Sequence, residues 1–443
     1  MNDTIVAPST PLQASAIGIV RLSGPDSHVF LQKVCPYLPE SAKPRRIYLQ
    51  WLREPDSNRA IDHAQMVIYQ APHSYTGEDM AEIFLHGAPV VMNHLLQVLQ
   101  GLGARYARPG EFTERAVLNG RIDLLQAEGI GDLIDASTSQ AAGQALDALA
   151  GKISRYVSGF QENILNLLSE IYAGIDFPDE DISTSNLILS LQNLLKTVRD
   201  ELDGFRHNLV IKNGVKVVIA GAPNAGKSTL FNRLIGRQRT ITAPLPGTTR
   251  DVISERLLWA GIPVILVDTG GIGKTGDVLN EEVQQVTAKA IGDADILLIL
   301  KDGQAPMEMD LPVGEETTKI TAINKSDLFQ KFSGDTYDQD LLISAKTGKG
   351  IEELKDLLQQ QAALVYGQAT RKSSHIAGYR QFEVMTRITN RLQRSVQLLE
   401  AGEPEELAAL DLEAAITDIG ELTGSQVSEN ILDRIFSRFC IGK

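Results

Sequence analysis

Cysteine is scarce in this chain, which carries only Cys35 and Cys440 among its 443 residues. The two lie far apart and beside no cluster of other metal-ligating residues, which argues against a disulfide framework and a zinc site. Long apolar runs are also missing, because the longest ones, such as residues 296–300, fall far short of the ~20 residues that a membrane span needs. We therefore expect a protein without membrane spans, and Cys35 in the core.

Positive charge is in deficit as well, since 42 Lys and Arg residues face 56 Asp and Glu residues, for a formal net charge of −14. Nucleic-acid affinity comes largely from phosphate neutralisation by Lys and Arg, so the chain alone is a poor candidate for tight RNA or DNA binding. A local basic patch or a basic partner would supply the missing charge. No secretory signal pattern precedes the body of the protein, so we expect a cytoplasmic location.

Patterning along the chain predicts a multidomain protein with α+β and α/β parts. Short strand-like runs at 16–22, 64–69 and 82–86, followed by a helical pattern at 90–99, predict an N-terminal α+β domain over residues 1–116. A length of 443 residues agrees with two or three domains.

The remaining pattern is helical on both sides of a β/α segment. Apolar residues at three- and four-residue spacing predict a helical domain whose first part is 117–212 and whose second part is 367–443. One helix is expected to end before Pro178, because proline cannot continue the hydrogen-bond ladder. Residues 213–366 therefore constitute an inserted domain whose two ends should lie close together.

The insert contains a phosphate-binding motif. A strand runs into Gly221, the loop continues to Gly226-Lys227-Ser228, and a helix follows. In this strand-to-helix setting, glycines let backbone N–H groups surround phosphate, Lys227 approaches the β and γ phosphates, and the Ser228 hydroxyl ligates Mg²⁺. The loop residues expected to contact GTP are Asn224, Ala225, Gly226, Lys227, Ser228 and Thr229.

Four further motifs follow in the order expected of a Ras-like P-loop GTPase. Thr248 and Thr249 would form a switch, in which Thr249 completes the Mg²⁺ shell only when a γ-phosphate is present. After an apolar strand, Asp268 is expected to be the outer metal ligand and Gly271 to donate an N–H to the γ-phosphate. Guanine would be contacted by two loops, the first selecting it through the carboxylate of Asp327; their residues are Asn324, Lys325, Asp327, Ser344, Ala345 and Lys346.

Asn224 also predicts a monovalent cation beside the phosphates. The loop has the Pro-Asn-Ala-Gly-Lys-Ser form found in cation-dependent P-loop GTPases, in which an asparagine at this position helps to hold the ion. A K⁺ ion would place fixed positive charge where the transition state becomes negative. The predicted ligands are Asn224, Ala243, Leu245 and Thr248, and the alternative is an asparagine that only caps the loop.

Segments outside the insert resemble the bacterial and organellar MnmE (TrmE) family of tRNA modification GTPases. The resemblance covers nearly the whole chain, and its segments are 3–7, 75–79, 108–116, 132–136, 175–180 and the Phe-Cys-Ile-Gly-Lys run at 439–443. It implies a dimerising folate-binding N-terminal domain and a complex with the FAD-dependent protein MnmG, a heterotetramer or larger. Together they would add a carboxymethylaminomethyl or aminomethyl group to the wobble uridine of certain tRNAs, which the partner would mainly hold.

The resemblance also implies a site for a tetrahydrofolate derivative, in the 5-formyl or 5,10-methylene form. Its contacts would be Arg21, Glu82, Arg121 and Lys443, of which Glu82 suits the pterin N–H groups and the cations suit the glutamate tail. Each could equally form an ordinary ion pair. Cys440 is a candidate participant in the modification chemistry, although a cysteine at this position could simply be packed.

The chain departs from the family pattern at the residue that orients the attacking water. The position where the family has a glutamate, in the helix after the second switch, aligns with Asn280, and asparagine cannot act as a base. We predict that Glu281 or Glu282 replaces it, or that hydrolysis is slow. The N-terminal loop at 10–16 also lacks the glycines and the arginine of the family.

A ribosome-assembly or RNA-checking GTPase without modification chemistry is the alternative function. Such a factor would be expected to carry a basic RNA-binding domain after the GTPase domain. The C-terminal part is instead helical and rich in acids, especially over 400–413, which favours the modification enzyme.

Overall fold

The structure is a computed structural model of the chain. It describes residues 3–39, 41–177, 184–236, 253–271, 281–304, 311–314, 316–328, 341–371, 374–376, 378–427, 429–437 and 439–443. Two compact units are formed. The first consists of Met1–Ile134, Ala145–Ser169 and Leu412–Lys443, and the second of Asp135–Gln144 and Glu170–Asp411.

The described residues contain strands and helices in alternating groups along the chain. The strands are β1 Ile5–Pro8, β2 Ser15–Ser23, β3 Tyr48–Arg53, β4 Ala60–Tyr69, β5 Met80–Gly87, β6 Arg105–Tyr106, β7 Val215–Gly221, β8 Ile253–Trp259, β9 Ile262–Asp268, β10 Ile296–Asp302, β11 Thr318–Asn324 and β12 Leu341–Leu342. The helices are α1 Ser27–Val34, α2 Pro89–Gly101, α3 Glu111–Leu118, α4 Leu124–Asp135, α5 Ser139–Leu149, α6 Lys152–Asp176, α7 Thr184–Asn213, α8 Lys227–Ile235, α9 Glu281–Gly292, α10 Ile351–Arg371, α11 Tyr379–Glu400, α12 Glu405–Thr423 and α13 Glu429–Phe436. No helix among these residues has the length and apolar character needed to cross a membrane.

The first unit is built on a six-stranded sheet in the order β3-β4-β5-β2-β1-β6. Neighbouring strands are antiparallel except β1 and β6, which are parallel. Helices α1 and α2 bury Leu31, Met92 and Leu99 against strand residues such as Leu22 and Met66. Alternation of buried and exposed residues in β2 and β4 is typical of a sheet with one covered face.

A buried arginine joins several segments of this unit. Arg115 on α3 is 1% exposed, and its guanidinium donates hydrogen bonds to Asp3 Oδ1 at 2.8 Å, Glu78 Oε2 at 3.0 Å and Glu111 Oε1 at 3.1 Å. A buried charge is tolerated only when it is paired and hydrogen-bonded, which these three carboxylates achieve. The cluster therefore ties α3 to the residues just before β1 and to the 75–79 segment.

The second unit contains a six-stranded sheet in the order β12-β11-β10-β7-β9-β8. All neighbouring pairs are parallel except β8 and β9. Strand β7 has Val215, Val217, Val218, Ile219 and Ala220 buried, a nearly continuous apolar run that is typical of a central parallel strand covered on both faces. Such a sheet places its loops for ligands at the carboxyl ends of the strands.

The C-terminal end of helix α7 packs in the core of this sheet and hydrogen-bonds to the segment that follows α10. Val210 and Ile211, near its end, belong to the same buried cluster as the strands of the sheet. Two residues earlier, Asn208 is 1% exposed, and its amide nitrogen donates to Ser374 O at 2.7 Å and Ile376 O at 2.5 Å. Its amide oxygen accepts a hydrogen bond from Gln144 Nε2 at 3.1 Å. The Asn208 side chain thus fixes the backbone of residues 374–376, which follow α10.

The element predictions from the sequence are confirmed. Strands occur at 16–22, 64–69 and 82–86, a helix occurs at 90–99, and α6 ends at Asp176, shortly before Pro178. The multidomain combination of α+β and α/β parts is confirmed too. The predicted boundaries at 116, 212 and 366 remain predictions, and each position lies within a continuous helix, α3, α7 or α10.

Candidate functional site

The phosphate-binding loop connects β7 to α8 in the arrangement that the motif predicts. Gly221 and Gly226 have φ values of 157° and 96°, in the region that favours glycine. A Cβ at Gly226 would lie 2.3 Å from Asn324 Nδ2, so only glycine fits there. The loop therefore turns tightly into the N-terminus of α8, where free backbone N–H groups attract anions.

Lys227 begins α8 and directs its ammonium group into the loop. Its Nζ donates to the carbonyl oxygens of Gly221 at 2.7 Å and Ala222 at 2.9 Å. Burial lowers the pKa of Lys227, and the carboxylate of Asp268 partly offsets this effect. The cation is therefore held within the loop that would surround the phosphates.

Asp268 and Ser228 meet beside this lysine. A Cβ built on Gly270 would lie 3.0 Å from Asp268 Oδ1, 3.0 Å from Lys227 Cε and 3.3 Å from Ser228 Oγ, so the three side chains converge there. Asp268 is fully buried, and its Oδ1 accepts a hydrogen bond from Gly270 N at 2.8 Å. Among the described residues its Oδ2 has no hydrogen-bond partner. A buried carboxylate oxygen without a partner, next to a serine hydroxyl, fits a Mg²⁺ site.

The two predicted guanine loops lie against the phosphate loop. Asn324 is 3% exposed; its Nδ2 donates to Ala225 O at 2.8 Å, and its Oδ1 accepts from Ala345 N at 2.8 Å. The Ser344 hydroxyl donates to Asp327 Oδ1 at 2.6 Å, and this bond lowers the pKa of that carboxyl group. Asp327 is therefore ionised at neutral pH, as an acceptor for two N–H groups must be.

Two residues at this site escaped the sequence analysis. Asp302 Oδ2 accepts a hydrogen bond from Lys325 Nζ at 2.5 Å, and Arg233 donates to Lys346 O at 2.6 Å. Burial acts to raise the pKa of Asp302, but the hydrogen bonds from Lys325 and the Gln304 N–H, together with the Lys325 charge, outweigh it and the pKa is lowered. Asp302 is the last residue of β10, which pairs with β7, the strand before the phosphate loop. Ligands in such sheets bind at the carboxyl ends of the strands, and this rule could have identified Asp302 from the sequence.

Several predicted residues lie outside the part of the chain that the structure describes. Both switch threonines and the remaining potassium ligands fall in the stretch 237–252; these are Ala243, Leu245, Thr248 and Thr249. Asn280 is outside it as well, Glu281 and Glu282 are the first residues of α9, and Gly271 ends the 3-10 turn Thr269–Gly271. Thr229 lies in the first turn of α8, and Asn224 has a left-handed backbone with φ 63°. The catalytic and metal roles of these residues stay predictions.

Arg21 and Glu82, two of the four predicted folate contacts, form an ion pair on neighbouring strands. Arg21 Nη2 and Glu82 Oε1 are 2.8 Å apart, and the Tyr69 hydroxyl donates to Glu82 Oε2 at 3.1 Å. The Arg21 guanidinium carbon also lies 5.3 Å from the ring centre of Tyr75 and 5.6 Å from that of Phe112. Burial, together with the Glu82 charge, raises the pKa of Tyr69. Tyr69, which the sequence did not single out, is thus part of this cluster.

The 439–443 segment packs beside the same ion pair. Gly442 O accepts hydrogen bonds from Arg21 Nη1 at 3.3 Å and Ser9 Oγ at 3.4 Å, which brings Lys443 next to the cluster. Gly442 has φ 93°, and a Cβ there would lie 2.0 Å from Pro8 O. Arg121 is exposed and lies beside Gly77, and Cys440 is exposed.

The parallel sheet, the phosphate loop and the paired guanine loops define the class of protein as a P-loop GTPase. Two family models match the chain: "GTP-binding protein TrmE N-terminus" over residues 4–121, and "MnmE helical domain" over residues 124–440. The chain therefore belongs to the MnmE family of tRNA modification GTPases.

Two curated relatives support the same assignment over the full length. The tRNA modification GTPase MnmE of Thermotoga maritima is 36% identical over 456 residues, with 100% of both chains covered. The protein of the same name from Coxiella burnetii is 37% identical over 455 residues, with 100% of this chain and 99% of the relative covered. Among solved structures, the G domain of the T. maritima FeoB iron transporter is 26% identical, covers 33% of this chain and 98% of its own, and superposes with a TM-score of 0.25.

Proposed function

We propose that this chain is a GTP-hydrolysing enzyme of tRNA modification that acts with an FAD-dependent MnmG partner on the wobble uridine of certain tRNAs. The added group would be carboxymethylaminomethyl or aminomethyl, with a tetrahydrofolate derivative as the one-carbon donor. The single observation that carries the proposal is the full-length similarity to proteins named tRNA modification GTPase, joined to a complete set of guanine and phosphate loops.

GTP would bind with its phosphates over the loop between Gly221 and Ser228. Lys227 would then exchange its bonds to the loop carbonyls for phosphate oxygens, which need positive charge as the γ-phosphoryl leaves. Asp327, held ionised by Ser344, would accept both N–H groups of the guanine edge, which adenine does not offer.

The proposed Mg²⁺ and K⁺ sites are assigned from the groups that could ligate each ion. Ser228 and Asp268 would hold Mg²⁺, with Thr249 added when GTP is bound, and the ion would neutralise charge on the β and γ phosphates. Asn224 would contribute to a K⁺ site with Ala243, Leu245 and Thr248. The buried unpartnered Asp268 oxygen supports the first site. Support for the second is the loop sequence and the left-handed backbone of Asn224.

A folate derivative would bind beside the Arg21 and Glu82 pair. Glu82 would accept hydrogen bonds from the pterin N–H groups, while Arg21, Arg121 and Lys443 would face the negative glutamate tail. Packing of Gly442 against Arg21 supports a site that includes the 439–443 segment. The exposed Cys440 would take part in the modification chemistry, and unchanged modification by a Cys440→Ser variant would remove it from the mechanism.

The assembly is proposed as a homodimer that joins MnmG in a heterotetramer or larger complex in the cytoplasm. The test of the function is mass spectrometry of wobble uridines from a deletion strain, with and without this chain restored. We expect the modified nucleoside to disappear on deletion and to return with the wild-type chain but not with a Lys227→Ala variant. Unchanged wobble uridines in the deletion strain would reject the tRNA function and leave GTP binding intact.

A further inference from the structure

Three arginines of α11 line one shallow depression in the second unit. Arg387, Arg391 and Arg394 are spaced by four and three residues, which places them on one face of a helix. Together with Asn390 and Asp411 they line a volume of about 260 Å³. None of its lining residues belongs to the nucleotide loops or to the Arg21 and Glu82 cluster, and neither proposed site uses it.

The charge of this helix is opposite to that of the chain. Helix α11 contains four arginines and two acidic residues, Glu383 and Glu400, whereas the whole chain has a formal net charge of −14. Within α11 every basic residue is an arginine. On an acidic protein, a local basic segment attracts polyanions mainly to that segment.

Asp411 is the acidic residue that lines the depression, and its Oδ2 lies 3.2 Å from Arg394 Nε. The Arg394 side chain remains 72% exposed, while that of Asp411 is 13% exposed. Arg387 and Arg391 also interact with other groups of the protein.

We propose that this arginine face of α11 binds the phosphate backbone of the tRNA, so that the chain itself contributes to substrate binding. The proposal rests on the tRNA function proposed above. Guanidinium groups bind phosphate oxygens in pairs of parallel hydrogen bonds, which suits arginine better than lysine. Arg387 and Arg394 are about 10 Å apart along the helix axis. Neighbouring phosphates along one strand of a nucleic acid are only a few ångströms apart, so the face spans more than one.

The test is fluorescence anisotropy of labelled tRNA titrated with the full-length chain at several NaCl concentrations. The variants are the triple Arg387→Gln, Arg391→Gln, Arg394→Gln protein and the single Arg394→Gln protein, whose side chain is the most exposed of the three. The matched control is Arg155→Gln, which removes one charge from an exposed position of α6. Binding of a fluorescent guanine nucleotide checks that every variant is folded.

We expect the triple variant to bind tRNA roughly tenfold or more weakly. The slope of log affinity against log salt should fall by about 0.7–0.9 for each phosphate that the protein no longer neutralises. Arg394→Gln should reduce the slope by about the value for one phosphate, and Arg155→Gln should match the wild type. If the triple variant fails to fold, Arg394→Gln with the same comparison decides.

Wild-type affinity and slope in Arg394→Gln and the triple variant would overturn the proposal, as would an equal loss of affinity in Arg155→Gln. Loss of MnmG binding with intact tRNA binding would also overturn it, because the face would then serve a protein. Failure of the tRNA function is recognised separately, by wobble uridines that do not change on deletion of the chain.

Discussion

The amide nitrogen of Asn324 donates a hydrogen bond to the carbonyl oxygen of Ala225 at 2.8 Å, across 99 residues of sequence. The other end of the same side chain accepts a hydrogen bond from Ala345 N. Because both bonds are buried, the phosphate loop and the two guanine loops are held as one body. Base recognition and phosphate recognition are therefore fixed relative to each other before the nucleotide arrives.

Replacing Asp327 by asparagine should lower GTP affinity far more than it lowers stability. An amide offers one acceptor oxygen and one NH2 donor, so one guanine N–H keeps an acceptor and the other faces an N–H group. We expect the Kd for GTP to rise on the order of 100-fold or more. Fluorescent nucleotide titration measures this, with the exposed Asp356→Asn on α10 as control. Equal GTP affinity of the two variants would contradict the guanine assignment.

Hydrolysis should be faster in KCl than in NaCl at equal ionic strength. The proposed ion at Asn224 would add positive charge beside the leaving phosphoryl group. Asn224→Gly removes the side chain while keeping the left-handed backbone, whose φ is 63°, accessible. This variant should lose the difference between the two salts. Equal turnover of the wild type in both salts would rule out potassium stimulation.

Alanine substitutions at 280, 281 and 282 should identify the residue that orients the attacking water. We expect a loss of hydrolysis on the order of 100-fold for Glu281→Ala or Glu282→Ala and little change for Asn280→Ala, because asparagine is not a base. Nucleotide affinity, measured alongside, should be unchanged in all three. If all three variants turn over like the wild type, neither glutamate serves the reaction.

Glu82→Gln should weaken the binding of 5-formyltetrahydrofolate on the order of tenfold or more, because a neutral amide replaces a charged hydrogen-bond acceptor. The variant also removes the charge that pairs with Arg21, whose side chain is 18% exposed. Calorimetric titration measures the affinity, with the exposed Asp56→Asn in the same unit as control. A folded Glu82→Gln protein with wild-type affinity would place folate elsewhere.

The two thiols should differ in reactivity, because Cys35 is fully buried and Cys440 is exposed. A thiol reagent at pH 8 should modify one cysteine of the native chain quickly and the second only after unfolding. Burial raises the pKa of Cys35 from 9.0 to about 11, so the folded state holds this proton more tightly than the unfolded state.

The stability that Cys35 contributes is therefore present below pH 9 and is lost as the pH rises through about 11. Other groups titrate in this range, so urea unfolding at pH 8 and pH 10.5 should be compared between the wild type and Cys35→Ala. We expect the fall in unfolding free energy to be smaller in Cys35→Ala. Identical falls would show that this thiol does not contribute.

Local motifs made much of the nucleotide site predictable. The phosphate loop needs only a strand, two glycines and a helix start within one short stretch, and the structure has β7, Gly221, Gly226 and α8 in that order. The guanine loops likewise follow apolar strands directly. Sequence order was sufficient there because each contact depends on neighbours along the chain.

Contacts between distant segments could not be predicted in this way. Arg115 meets Asp3 and Glu78 only because β1 pairs with β2 and α3 packs beside them, which no local pattern states. The arginine face of α11 was visible as a spacing of four and three residues, yet the acidic total for the chain concealed it. The net charge is a sum over the whole chain, whereas a ligand interacts mainly with the charges close to its binding site.

The position of Val210 and Ile211 in the core of the nucleotide-binding sheet determines how this GTPase could be isolated. A fragment that starts at 213 would leave behind two apolar side chains that fill its interior, and Asn208, which holds residues 374–376. As an autonomous folding unit, the insert therefore needs the last turns of α7. A fragment boundary chosen from the motifs alone would remove residues that form part of the core of the domain.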